Sequence, residues 1–118
     1  MEPNKDLRSR TKAFALRVIR LTPALPKSLT AQIIGKQLLR SATSVGANYR
    51  AACRARSPAE FRAKLGIVEE EADESSYWIE LLGESEIMDQ HRLQDLLTES
   101  NEITAMVVAS IKTSRDAK

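Results

Sequence analysis

The chain has little of what small domains use for chemistry. A single cysteine, Cys53, rules out an intrachain disulfide and a cysteine metal cluster. Its expected role is that of a small buried hydrophobe. A single histidine, His91, has Met88 three residues before it, so the Glu-x-x-His pairs of a di-iron bundle are missing. A serine nucleophile has no base that the sequence can place beside it. Aromatic residues make up 4% of the 118 positions, so Leu, Ile, Val and Ala must fill the core. Four glycines and four prolines leave few points where the chain is forced to turn, which favours long helices. There is no Gly-rich phosphate loop. No apolar run approaches the ~20 residues of a membrane span. The opening MEPNKDLRSR is polar, with no apolar signal core behind it. A cytoplasmic location, no cofactor and no membrane partner are the expectations.

What the sequence does contain is helical periodicity, with no strand-period segment and no internal repeat. Residues 31–56 are the clearest case. At roughly 100° per residue, Ile34, Leu38, Ala42, Val45, Tyr49 and Ala52 share one side, and Lys36, Arg40, Arg50 and Arg54 form a basic stripe opposite. Small residues (Ser41, Ala42, Ser44, Gly46, Ala47) crowd the middle, which lets a neighbouring helix approach closely. Before it, Leu7, Phe14, Val18 and Leu21 mark a first helix over 7–21, with Asp6 as its N-cap and residues 1–6 as a tail. Thr22-Pro23 ends that helix, because the residue before proline is pushed out of the α region. Ser28 or Thr30 opens the second helix.

Ser57-Pro58-Ala59-Glu60 is the sharpest local signal: a serine N-cap, proline at the first helical position and a glutamate placed to complete a capping box. It fixes a third helix from Pro58 to about Gly83, with Phe61, Leu65, Val68, Ala72 and Ile79 on its core side. A turn over 83–89 leads to Asp89 as the next cap. A fourth helix over 90–113 carries Leu93, Leu96, Leu97, Ile103, Val107 and Ile111, and 114–118 is a tail. Short connections make antiparallel neighbours. The fold expected is all-α, a single up-down-up-down four-helix bundle over 1–118.

Two surfaces are candidates for function. The third helix has a second apolar line, Ala63, Ile67, Trp78 and Leu81, turned away from the core stripe. A helix that is apolar on two sides needs two partners. Ile67, Trp78 and Leu81 are therefore assigned to an oligomer interface, the alternative being a deeply buried helix in a lone bundle. The second surface is the stripe of Lys36, Arg40, Arg50 and Arg54, which suits phosphate contact. No aromatic side chain interleaves it, and Tyr49 falls on the core side, so base stacking is not expected. Charge is unevenly divided. Residues 1–64 hold 14 Lys/Arg against 3 Asp/Glu, and residues 65–118 hold 4 against 13. Basic helices packed beside acidic ones, head-to-tail pairing of subunits, and a basic face held for nucleic acid all agree with this division. The run Glu69-Glu70-Glu71-Ala72-Asp73-Glu74 reads as a solvated or salt-bridged face, or as a carboxylate magnesium site.

Three motifs resemble a known family. Arg40-Ser41-Ala42-Thr43-Ser44-Val45-Gly46-Ala47-Asn48, Ser57-Pro58-Ala59-Glu60-Phe61, and Glu71-Ala72-Asp73-Glu74-Ser75 followed by Tyr77-Trp78-Ile79-Glu80-Leu81-Leu82 look like the bacterial four-helix-bundle proteins named after reading frames in 23S rRNA intervening sequences. Asn48-Tyr49-Arg50-Ala51 departs from the commoner Asn-x-x-Glu-Gly ending and fits the branch with the Tyr-Trp motif. The resemblance implies a homopentamer. It extends to the accessory variability protein of diversity-generating retroelements, and so implies RNA or DNA and a reverse transcriptase as partners. An enzymatic role is not expected. The competing reading is an oligomeric scaffold or protein-interaction module without nucleic acid.

Overall fold

In a computed structural model, residues 5–117 are described, with side chains from Leu7 onward. Four helices follow one another: α1 (Lys5–Leu21), α2 (Leu29–Cys53), α3 (Pro58–Glu84) and α4 (Gln90–Asp116), with a single 3-10 turn at Thr22–Ala24 between the first two. Each helix packs on its neighbours in sequence, and α4 closes back on α1. The result is a four-helix bundle 51 Å long and about 20 Å across. Its length follows from the 27-residue α3 and α4, each ~40 Å at 1.5 Å per residue.

Local chemistry sets the boundaries. The Ser28 hydroxyl accepts from Ala31 N–H and opens α2; the Asp89 carboxylate accepts from His91 N–H and opens α4. At α3 the Ser57 hydroxyl accepts from Glu60 N–H, while the Glu60 carboxylate accepts from Arg56 N–H at 3.1 Å, one residue before the usual capping-box partner. Two boundaries differ from expectation. Asp6 lies inside α1 rather than capping it, and Met1–Asn4 lie outside the described residues. The expected C-terminal tail is helical as far as Asp116, and Arg62 on α3 donates to the Ser114 carbonyl and hydroxyl there. α3 ends at Glu84, within one residue of expectation. Gly83 is buried in its last turn, where a Cβ would stand 3.1 Å from Gln90 Cγ, and the left-handed residue of the turn is Glu86, at φ 63°.

The core runs the length of the rod. Phe14, Leu38, Val45, Tyr49, Leu65, Ile79 and Ile103 are fully buried, and each aliphatic or aromatic side chain removed from water contributes about 1.5–3 kcal/mol. Of the expected core side of α2, Leu38, Ala42, Val45, Tyr49 and Ala52 are buried and Ile34 is half-buried. Cys53 is also half-buried and packs on the core margin. Leu25 folds in from the connection and is accommodated by Gly35, where a Cβ would meet it at 2.7 Å.

Two serine contacts set the register. Ser41 and Ser75 join α2 to α3 at 2.9 Å, and Ser76 and Ser100 join α3 to α4 at 2.6 Å. Unpaired, these buried hydroxyls would each cost free energy; among the described residues no buried side-chain nitrogen or oxygen lacks a partner. The α1–α4 seam is the sparsest between neighbouring helices and is bridged by charge. Arg10 donates to both Glu99 oxygens, at 2.9 and 2.7 Å, to Glu102 at 2.7 Å and to Met106 Sδ.

Candidate functional site

The basic stripe of α2 lies on one side of the helix, yet its four members have different surroundings. Arg40 leans towards α3. Its Nη1 stands 3.3 Å from each Glu71 oxygen, and its Nη2 donates to Glu74 Oε2. The same Glu74 oxygen accepts from Trp78 Nε1 at 2.9 Å. The indole N–H, and after it the guanidinium, hold the Glu74 carboxyl below its ordinary value. The two carboxylates, Glu74 first, raise the pKa of the Arg40 guanidinium in turn. Arg40 is thus joined to a cluster on α3 that fixes the indole of Trp78.

Arg50, in the last turn of α2, and Arg54, its C-cap, are four residues apart and both exposed, about 6 Å apart along the helix axis. Ala47 and Ala51 line a shallow hollow with them. Among the described residues neither side chain has an ion pair. Lys36 is exposed near the opposite end of the bundle, roughly 21 Å of helix rise from Arg50, in a hollow shared with Thr22, Pro23 and Gln32. The structure therefore brings Arg50 and Arg54 together, ties Arg40 to α3 and leaves Lys36 apart.

Two cations missed in the sequence lie beside Arg50. Arg8 and Lys12 on α1 line a groove with it. They were hidden because they precede Arg50 by some forty residues, and only the α1–α2 packing makes them neighbours. That packing is close at Gly46, where a Cβ would sit 3.4 Å from the Thr11 carbonyl oxygen.

The apolar assignments on α3 fall on its outer side in varying degree. Ile67 is 38% exposed, while Trp78 and Leu81 are half-buried. Trp78 leans on the core margin, with the Tyr77 ring edge-on at 5.1 Å. Ala63 is exposed. The larger exposed side chains are elsewhere: Leu29 at 76%, Tyr77 at 53% and Ile33 at 51%. Leu29 and Ile33 are four residues apart on the outside of α2. The antiparallel register fixed by Ser41 and Ser75 puts Ile33 level with the last turns of α3. Their signal was present in the sequence as an i, i+4 apolar pair on the same side as the basic stripe.

Charge division between the two halves is met partly inside the chain. Arg10 engages two carboxylates of α4, and Arg40 engages two of α3. Glu71 and Glu74 thus belong to an ion-pair cluster, and no group of three or more His, Cys, Asp or Glu side chains among the described residues is arranged to hold a metal. His91 is an exposed residue of the first turn of α4. No described helix is long and apolar enough to cross a membrane.

Comparison with known proteins supplies a family. A family model described as the 23S rRNA-intervening sequence protein matches residues 4–109. A crystal structure of a protein of unknown function from the S23 ribosomal protein family of Bacteroides thetaiotaomicron is similar in fold, with a TM-score of 0.84 and 36% sequence identity, over 90% of this chain and 98% of that one. No curated protein matches the chain.

Proposed function

The chain belongs to the 23S rRNA-intervening sequence protein family, and from that premise we propose that it is a non-enzymatic, homo-oligomeric accessory protein that grips nucleic-acid phosphates through the basic side of α2. The observation that carries this reading is the pair Arg50 and Arg54. They are exposed, one turn apart and without an ion pair among the described residues, in a chain whose Arg10 and Arg40 are both engaged by carboxylates. Cations left unneutralised on a helix side attract a polyanion and release its counterions. Lys36 is an outlying contact of the same kind. Arg40 contributes by its field rather than by direct donation, since its donors already face Glu71 and Glu74.

Self-association is supported by the apolar side chains left on the outside of α2 and α3: Leu29, Ile33, Ile67 and Tyr77, with Trp78 and Leu81 at their margin. A pentamer is the assembly, and a reverse transcriptase the protein partner, that the family resemblance suggests. Repeated around a ring, Arg50 and Arg54 form a positive band. Phosphate contacts position a nucleic acid without reading its sequence, so little sequence preference is expected.

The second reading is a scaffold whose free arginines pair with acidic residues of a neighbouring copy. The double variant Arg50→Glu with Arg54→Glu separates the two. Loss of RNA and DNA binding with unchanged mass in light scattering supports the nucleic-acid reading. Loss of the oligomer supports the scaffold.

A further inference from the structure

The α1–α2 groove differs from a flat basic stripe in having two walls and a low floor. Arg8 and Lys12 of α1 form one wall and Arg50 of α2 the other, while Ala15, Gly46 and Ala47 form the floor. The depth follows from the sequence. Gly46 brings the two backbones together at Thr11, and the alanines beside it carry no side chain beyond Cβ to fill the space above. The helices are antiparallel. Lys12 is therefore level with Gly46 and Ala47, and Arg8, one turn earlier, is level with Arg50. Arg54 extends the same line by a further turn and shares Ala47 and Arg50 with the groove mouth. Cations thus recur about every turn, ~5.4 Å, along a trough with no aromatic side chain in its lining.

Resting on the nucleic-acid reading above, we infer that this groove is the place where one phosphodiester strand lies along the bundle, its phosphates between the cations of α1 and those of α2 and its bases turned outward. A strand carries one charge per ~3.4 Å of axis, so cations at successive turns meet it at one or two phosphates per turn. The lining offers no ring for a base to stack on, so the bases remain free to pair with a second strand or with each other. The groove accordingly adds a second helix to the binding surface and assigns α1, through Lys12, a direct part in it.

The assignment separates shape from charge, and so does its test. Ala47→Leu fills the floor without altering charge; Lys12→Ala removes one cation from the α1 wall; Lys27→Ala removes the same charge from the α1–α2 connection, away from the groove. Binding of each full-length variant to a labelled oligouridylate strand and to a labelled DNA duplex is measured across a salt series, with circular dichroism and mass recorded for each. Ala47→Leu should weaken binding on the order of tenfold, about 1.4 kcal/mol, at an unchanged salt slope. Lys12→Ala should lower the slope by about 0.7 on the single strand and about 0.9 on the duplex. Lys27→Ala should leave both affinity and slope nearly as in the wild type. If wild-type protein binds but Ala47→Leu and Lys12→Ala behave as Lys27→Ala does, the groove assignment fails while the nucleic-acid reading stands. If the wild type binds neither probe at low salt, both fail. Should Ala47→Leu lose helical content, Lys12→Ala, at an exposed side chain, decides the matter by its slope.

Discussion

Glu74 connects the charged and apolar surfaces of α3, and its removal has a measurable signature. Its Oε2 accepts from both Trp78 Nε1 and Arg40, with the indole bond at 2.9 Å. Glu74→Ala deletes both bonds. A hydrogen bond to a charged acceptor contributes about 1.5–3 kcal/mol when shielded from water. The Glu74 side chain is 35% exposed and that of Arg40 is 48% exposed, so solvent reduces the figure to about 1 kcal/mol. The chain has one tryptophan, so fluorescence reports this site alone. Glu74→Ala should shift Trp78 emission and lower the urea midpoint by about 0.5 M, taking about 2 kcal/mol per molar for the slope. Protein concentration must be held fixed, because self-association adds to apparent stability.

The pH dependence has a definite sign. The folded-state value of Glu74 is depressed, so its contribution is complete above the ordinary carboxylate value of about 4.5 and is lost as pH falls through the lower, folded value. Trp78 emission in wild-type protein should therefore change only below pH 4.5, and the change should be absent from Glu74→Ala. Identical emission from the two proteins at neutral pH, or a wild-type step above pH 4.5, would refute the reasoning.

Two further perturbations address the core and the assembly. Ala42 is fully buried on α2, so Ala42→Leu should overpack the bundle and cost about 1–3 kcal/mol in urea denaturation; an unchanged midpoint would contradict the close packing described. Trp78→Glu places a charge among the apolar side chains of α3 and next to Glu74; it should reduce the light-scattering mass to that of a monomer while far-ultraviolet circular dichroism remains strongly helical.

Helix order and the core side of each helix were legible because they depend on spacing and caps within a few residues. The Ser57-Pro58-Ala59-Glu60 start and the Leu38–Ala42–Val45–Tyr49 side are of this kind. The end of α3 was legible to within one residue, but the part Gly83 plays there was not. Gly83 carries the usual sign of a helix stop, yet it serves close packing against Gln90 and Leu93, while Glu86 takes the left-handed conformation despite its Cβ. The candidate surface was legible only as a stripe. Whether a cation on it is available depends on which neighbour its helix angle faces. Arg40 leans to the carboxylates of α3 and Arg50 to the cations of α1, and spacing along α2 does not say which neighbour lies on which side. Leu29 and Ile33 needed no knowledge of partners; their i, i+4 spacing opposite the core side was visible in the sequence.

The central claim is that exposed arginines of α2 hold nucleic-acid phosphates in an oligomer. Its most direct test is the affinity of wild-type protein for structured RNA and for duplex DNA over a series of salt concentrations, with mass measured on the same samples. Log affinity should fall linearly with log salt, with a slope of about −1.8 or steeper on duplex for two phosphate contacts in each engaged subunit. Unrelated sequences should bind with similar affinity, and the mass should be well above that of the single 13.1 kDa chain. A monomer mass at micromolar concentration, or no binding to either nucleic acid at low salt, would contradict it.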